Sequence, residues 1–201
     1  MVLERVKHEI GVPVLTDIHE PDQAAIAARV VDILQVPAFL ARQTDLLHAV
    51  GATGKWINVK KGQFMAPQEM GNAMTKVTSA NASSRVMMTE RGTFFGYNRL
   101  VNDFTGIPEM KKFDCPVVFD ITHSTQQPAG LGHASGGNPQ YSPMLARAAV
   151  AAGVDGLFLE CHPDPAKAKS DAATILSLDR VSDILKSCQQ IFDIRDSWMR
   201  G

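Results

Sequence analysis

Short, nearly unbroken apolar runs alternate along this chain with stretches of helical spacing, and that alternation leaves few folds open. An apolar run without polar alternation needs cover on both faces, the condition of a strand in a parallel sheet flanked by helices. Six runs qualify: VPVLTD (12–17), VVDILQ (30–35), WINVKK (56–61), RVMMTE (85–90), PVVFDIT (116–122) and GLFLEC (156–161). Helical segments follow most of them: PDQAAIAARV, QTDLLHAV, PQEMGNAMTKV, PMLARAAVAA and a long last stretch from Ser177 to about Trp198. Several open with Asp, Thr or Pro near the first turn, as helix starts prefer. No Gly/Ser linker divides the chain, so a single α/β domain over residues 1–201 is expected.

The ends of the apolar runs carry the chemistry. They deliver Asp17 and His19, Gln35, Lys60 and Lys61, Glu90 and Arg91, Asp120 and His123, and Glu160 and His162. In a parallel barrel every strand's C-terminal end opens on one face, where active sites are assembled. Strands must also become polar where solvent begins, but six in succession ending in ionisable or amide groups point to a shared rim.

The charge balance narrows the partners. Lys and Arg number 20 against 21 Asp and Glu, so no general attraction to nucleic acid or to an anionic membrane is built in. An anionic ligand must therefore be gripped locally. No apolar run reaches the roughly 18 residues of a membrane span, and the N-terminus lacks the basic-then-apolar layout of a secretion signal. A cytoplasmic protein is expected. Cys115, Cys161 and Cys188 form no CxxC pair and fit a reducing compartment as packed thiols.

His123 in FDITHSTQ, Glu160 in FLECHPDP and Asp171 in KSDA offer an imidazole and two carboxylates. Such a set suits a divalent metal such as iron, manganese or zinc, the alternative being a His hydrogen-bonded to a carboxylate without metal. His162 competes with Glu160, because strand alternation turns both to one side, and spacing does not choose between them. Lys60, Lys61 and Arg91 make a seat for a phosphate or carboxylate, with Lys61 the one expected merely to solvate its strand end. Segment 128–143, PAGLGHASGGNPQYSP, lacks the ending of a phosphate loop and reads as a mobile flap. In PAFLARQTDLL, Thr44 or Asp45 is explained as a helix cap, whereas Arg42 is not.

TDIHEP, QVPAFLARQTDL, INVKKGQF, TERGTFFGYN, FDITHSTQ, ASGG and ECHPDP, in this order and spacing, resemble the 3-deoxy-D-manno-octulosonate 8-phosphate synthase family from about Val12 to Trp198. The resemblance implies a (β/α)8 barrel, with about six of its eight βα units in this chain, which starts in the helix before what would be the third strand. It implies an aldol-type condensation of phosphoenolpyruvate with arabinose 5-phosphate for lipopolysaccharide synthesis. Carried over by position, Lys60 and Arg91 bind phosphoenolpyruvate with Gln35, the backbone around Ala38, and Gln126. Asp17 faces the sugar phosphate's hydroxyls. His123, Glu160 and Asp171 hold the metal, and Lys60, His123 and Asp171 form the catalytic group. Arg42 reaches a neighbouring subunit's site, which implies a homotetramer. Gly62, Glu90 and Ser170-Asp171-Ala172 look like the metal-dependent branch. Two alternatives stand beside this reading. One is a sister synthase that makes 3-deoxy-heptulosonate 7-phosphate or sialic acid. The other is an inactive piece serving only as an interaction module.

Overall fold

The computed structural model describes residues 2–130 and 135–200. They fall into two compact units, Met1–Thr89 with Glu109–Pro116, and Glu90–Pro108 with Val117–Gly201.

In the first unit four parallel strands lie side by side in chain order: β1 (Leu15–Asp17), β2 (Ile33–Val36), β3 (Trp56–Lys60) and β4 (Arg85–Glu90). Their register sets Asp17 opposite Gln35, Gln35 opposite Asn58, and Lys60 opposite Thr89. Leu34, Val36, Ile57, Val59 and Met88 are buried, as expected of strands covered on both faces. Helices α1 (Val2–Ile10), α2 (Pro21–Ala27), α3 (Thr44–Ala52) and α4 (Met70–Ala80) alternate with them. Helix α2 starts at Pro21, whose fixed φ suits the first turn, and Gln23 Oε1 accepts from the N–H groups of His19 and Glu20.

Helix α3 buries Leu46, Leu47 and Val50, and α4 buries Met70, Ala73 and Val77. The two approach so closely that a Cβ on Gly51 would lie 2.2 Å from the Val77 carbonyl oxygen, which explains a glycine inside α3. Thr44 and Asp45 do not cap α3 as expected. Gln43 is the cap residue, and Thr44 Oγ1 instead accepts from Lys76 Nζ at 2.7 Å, tying α3 to α4.

The second unit holds the parallel pair β7 (Val117–Asp120) and β10 (Gly156–Phe158), with Asp120 opposite Phe158. Ahead of them β5 (Thr93–Gly96) and β6 (Arg99–Val101) form an antiparallel hairpin absent from the sequence reading. Tyr97 and Asn98 at its tip both have positive φ, 51° and 57°, the backbone of a tight hairpin turn. Short pairs follow, β8 (Gln126–Gln127) with β9 (Gly136–Gly137) and β11 (Cys161–His162) with β12 (Leu176–Ser177). Helix α5 covers Gly106–Lys111, α6 Ser142–Ala151 and α7 Leu178–Arg200. Of the segment read as a flap, residues 131–134 lie outside the described residues, as does Ala134 of the ASGG motif. Parallel strands alternating with helices place the chain in the α/β class, in keeping with part of a (β/α) barrel. No helix among the described residues is long and apolar enough to cross a membrane.

Candidate active site

In the first unit the ends of the parallel strands bring Asp17 and Gln35 together. Gln35 Nε2 donates to Asp17 Oδ1 at 2.6 Å, and Gln35 Oε1 accepts from Asn58 Nδ2 at 2.8 Å. Asn58 Oδ1 in turn accepts from the Thr89 hydroxyl at 2.7 Å. The sequence alone points to no role for Asn58 or Thr89. The signal available was Asn58 itself, an amide between Ile57 and Val59 in an otherwise apolar run.

Lys60 is buried at the end of β3, two residues beyond Asn58 and so on the same side of the strand. Lys61 departs from expectation. Rather than solvating the strand end it is 1% exposed, and its ammonium donates to the Met65 carbonyl at 3.2 Å. Burying the long stem and bonding the charged head to a carbonyl is how a lysine is accommodated inside a protein. Ala38 opens a short 3-10 turn after β2 and is buried, whereas Arg42 is exposed and its carbonyl accepts from Lys76 Nζ.

The second unit gathers Arg91, His123, Gln126, Glu160 and Asp171. His123 follows β7 in a short 3-10 turn whose start is organised by Asp120. Asp120 Oδ1 accepts from the backbone N–H of Thr122 and of His123 and from the Thr122 hydroxyl, all within 3.0 Å. Its Oδ2 lies 2.6 Å from His123 Nδ1. With Nδ1 used in this way, Nε2 faces Glu160 Oε1 at 3.5 Å and Asp171 Oδ2 at 4.0 Å. Asp171 sits in the left-handed backbone region (φ 51°), held by turn bonds from Thr174 and Ile175 N–H to its carbonyl. A non-glycine residue kept there is costly by roughly 1–3 kcal/mol, so the fold must over-determine its placement.

Gln126 links this group to the cation. Its Oε1 accepts from Arg91 Nη2 at 2.6 Å, and its Nε2 donates to Asp171 Oδ1 at 2.5 Å. Arg91 is 4% exposed, and its Nη1 is buried with no hydrogen-bond partner among the described residues. Burial pushes its guanidinium below the ordinary value, while the charges of Asp120, Glu90 and Asp171 act the other way. A buried cation keeping a donor in hand is chemically disposed to take an anion.

Residues 1–196 match the DAHP synthetase I family. The chain belongs to this family. It is 56% identical over 192 residues to the 2-dehydro-3-deoxyphosphooctonate aldolase of Nitratidesulfovibrio vulgaris, covering 96% of this chain and 70% of that protein. The enzyme of the same name from a Cyanothece strain is 55% identical over 193 residues, 96% and 69% of the two chains. That from Syntrophotalea carbinolica is 53% identical over 190 residues, 94% and 68%. The resemblance carried by the sequence motifs is thus upheld at the level of family.

In this member of the DAHP synthetase I family, one ligand atom each from His123, Glu160 and Asp171 lies within 4.8 Å of the others. An imidazole with two carboxylates, the imidazole anchored from behind by Asp120, is a donor set that fits a divalent transition metal. His162, left open as a competitor, is turned to another use: its Nδ1 accepts from the Asp164 backbone N–H at 2.9 Å.

Proposed function

We propose that this chain catalyses the condensation of phosphoenolpyruvate with D-arabinose 5-phosphate and water, giving 3-deoxy-D-manno-octulosonate 8-phosphate and inorganic phosphate for lipopolysaccharide synthesis. The observation that carries this is identity above 50% to enzymes named 2-dehydro-3-deoxyphosphooctonate aldolase, over nearly the whole of this chain. Their shared name also favours this acceptor over those of the sister synthases. Polar groups of these types in a buried setting favour an enzyme over a bare interaction module.

On this reading Lys60 and Arg91 neutralise the phosphoenolpyruvate, with Gln35, Gln126 and the backbone near Ala38 fixing its orientation. Neutralising the charge of phosphoenolpyruvate lets C3 of the enol approach the sugar aldehyde. The C3 to aldehyde-carbon bond forms, the aldehyde oxygen takes a proton, and water adds at C2 before phosphate leaves. Asp17 accepts hydrogen bonds from hydroxyls of the sugar phosphate. A divalent iron, zinc or manganese ion held by His123, Glu160 and Asp171 supplies, when bound, a Lewis acid that orients the aldehyde or the water. Lys60, His123 and Asp171 are the catalytic group, and Asp120 sets the imidazole's direction.

Arg42, exposed and outside the Asp17–Gln35 row, belongs to a neighbouring subunit's site in a cytoplasmic homotetramer, and the strands belong to a (β/α)8 barrel. The test is phosphate release from phosphoenolpyruvate with arabinose 5-phosphate, with and without EDTA. Release that needs both substrates and is stopped by EDTA supports the reading. Release with erythrose 4-phosphate in place of arabinose 5-phosphate would move the chain to a sister synthase.

A further inference from the structure

Thr89, Asn58, Gln35 and Asp17 form one hydrogen-bonded row across the four neighbouring strands of the first unit. Its chemistry admits one direction. An ionised carboxylate can only accept, so Gln35 must turn its NH₂ toward Asp17 and its carbonyl oxygen toward Asn58. Asn58 must then turn its own NH₂ toward Gln35 and its oxygen toward Thr89. The Thr89 hydroxyl is left to donate, and in the structure it does. Gln35, Asn58 and Thr89 are 3%, 2% and 0% exposed, so bulk water does not stand in for a missing member. Polarised chains of this kind hold their members cooperatively, and each amide fixes the orientation of the next.

We infer that Thr89 and Asn58 are positioning residues, which orient the Gln35 amide and through it the Asp17 carboxylate, and so govern recognition of the acceptor sugar's hydroxyls. The inference rests on the proposed assignment of Asp17 to the sugar phosphate. Thr89 is three hydrogen bonds from Asp17, so its influence on the carboxylate runs along the row. Without the Thr89 hydroxyl, the Asn58 oxygen is buried with no donor, and the amides lose the reason to keep their direction. A reversed Gln35 would set its oxygen against the carboxylate and push it aside.

Thr89→Val removes the hydroxyl at nearly constant shape, and Thr89→Ser keeps it. Two readouts are taken on the whole chain: side-chain amide 1H–15N resonances of Gln35 and Asn58, and phosphate-release kinetics in arabinose 5-phosphate at saturating phosphoenolpyruvate. Thr89→Val is expected to shift the Gln35 resonances and raise KM for arabinose 5-phosphate about tenfold, the size of one lost buried hydrogen bond, with kcat changed about threefold at most. Thr89→Ser should restore both. Gln35 resonances unmoved in Thr89→Val overturn the row as a relay. Resonances that move while KM stays constant overturn its part in acceptor recognition. Asp17→Asn is the control for the underlying assignment: if it leaves KM for the sugar unchanged, the assignment of Asp17 fails, and the acceptor role with it. Absence of turnover in the unmodified chain would sink the proposed function, while the amide resonances still decide the relay.

Discussion

Arg91 and Gln126 are joined by a 2.6 Å hydrogen bond from guanidinium to amide oxygen, and the other end of the same amide donates to Asp171. Gln126 thus holds the proposed anion-binding cation and a proposed metal ligand in one frame. Gln126→Ala is expected to raise KM for phosphoenolpyruvate 10- to 100-fold, on the scale of about 1.5–3 kcal/mol for a hydrogen bond to a charged group. Steady-state kinetics check this, and a KM equal to that of the unmodified chain would remove Gln126 from substrate binding.

His123→Ala should strip the protein of metal. Purified without chelator, the unmodified chain is expected to carry iron, zinc or manganese near one per chain, and the variant at most about a tenth of that. Elemental analysis of both decides it. Equal metal content in the two would place the ion elsewhere.

Gly51→Ala sets a methyl group 2.2 Å from the Val77 carbonyl oxygen, a backbone atom that cannot swing away. Overpacking of this kind costs about 1–3 kcal/mol, more than the gain in helix propensity from replacing glycine. The melting midpoint should fall by several degrees, at about 2–4 °C per kcal/mol for a chain of this size. A midpoint unchanged or raised would show that α3 and α4 can separate at no cost.

Asp32 supplies a pH-dependent term to stability. Its carboxylate accepts from Lys7 Nζ at 2.6 Å and from the Val14 N–H at 3.0 Å. The Lys7 bond first, and the Val14 bond second, hold the group below the ordinary carboxylate value, with desolvation acting in the opposite sense. A carboxylate depressed in the folded state stabilises fully above its unfolded value of about 3.9, and that contribution is lost as pH falls through the folded value. Asp32→Ala should therefore be less stable than the unmodified chain by about 1 kcal/mol at neutral pH. The gap should close below about pH 4. Urea unfolding at several pH values measures it, and a gap independent of pH would exclude the ion pair as its source.

Much of this protein was legible from spacing alone. Each of the six apolar runs contains a parallel strand, because an unalternating Val/Ile/Leu run has no solvent face and needs cover on both sides. The helices after them followed from first-turn Pro and Thr and from apolar periodicity. The hairpin from Thr93 to Val101 was not legible. Its turn residues, Tyr97 and Asn98, are not the glycine pair that announces such a turn, and Phe94, Phe95 and Tyr97 are exposed, so burial leaves no alternation to read. Lys61 is hidden from the sequence for a related reason: adjacent lysines at a strand end look alike, and only packing shows that both are buried.

By itself the sequence determined the α/β class, the family, and which strand ends bear ionisable groups, since these depend on local periodicity and on ordered motifs. The tertiary structure alone decided which of those groups meet. It set Asp120 behind His123, turned His162 to the backbone of Asp164, and stretched Gln126 between Arg91 and Asp171. These partners are up to 45 residues apart in the chain, and no local rule of spacing fixes a hydrogen bond of about 3 Å over such a separation. Close packing does, because buried polar groups that fail to find one another leave their hydrogen bonds unmade.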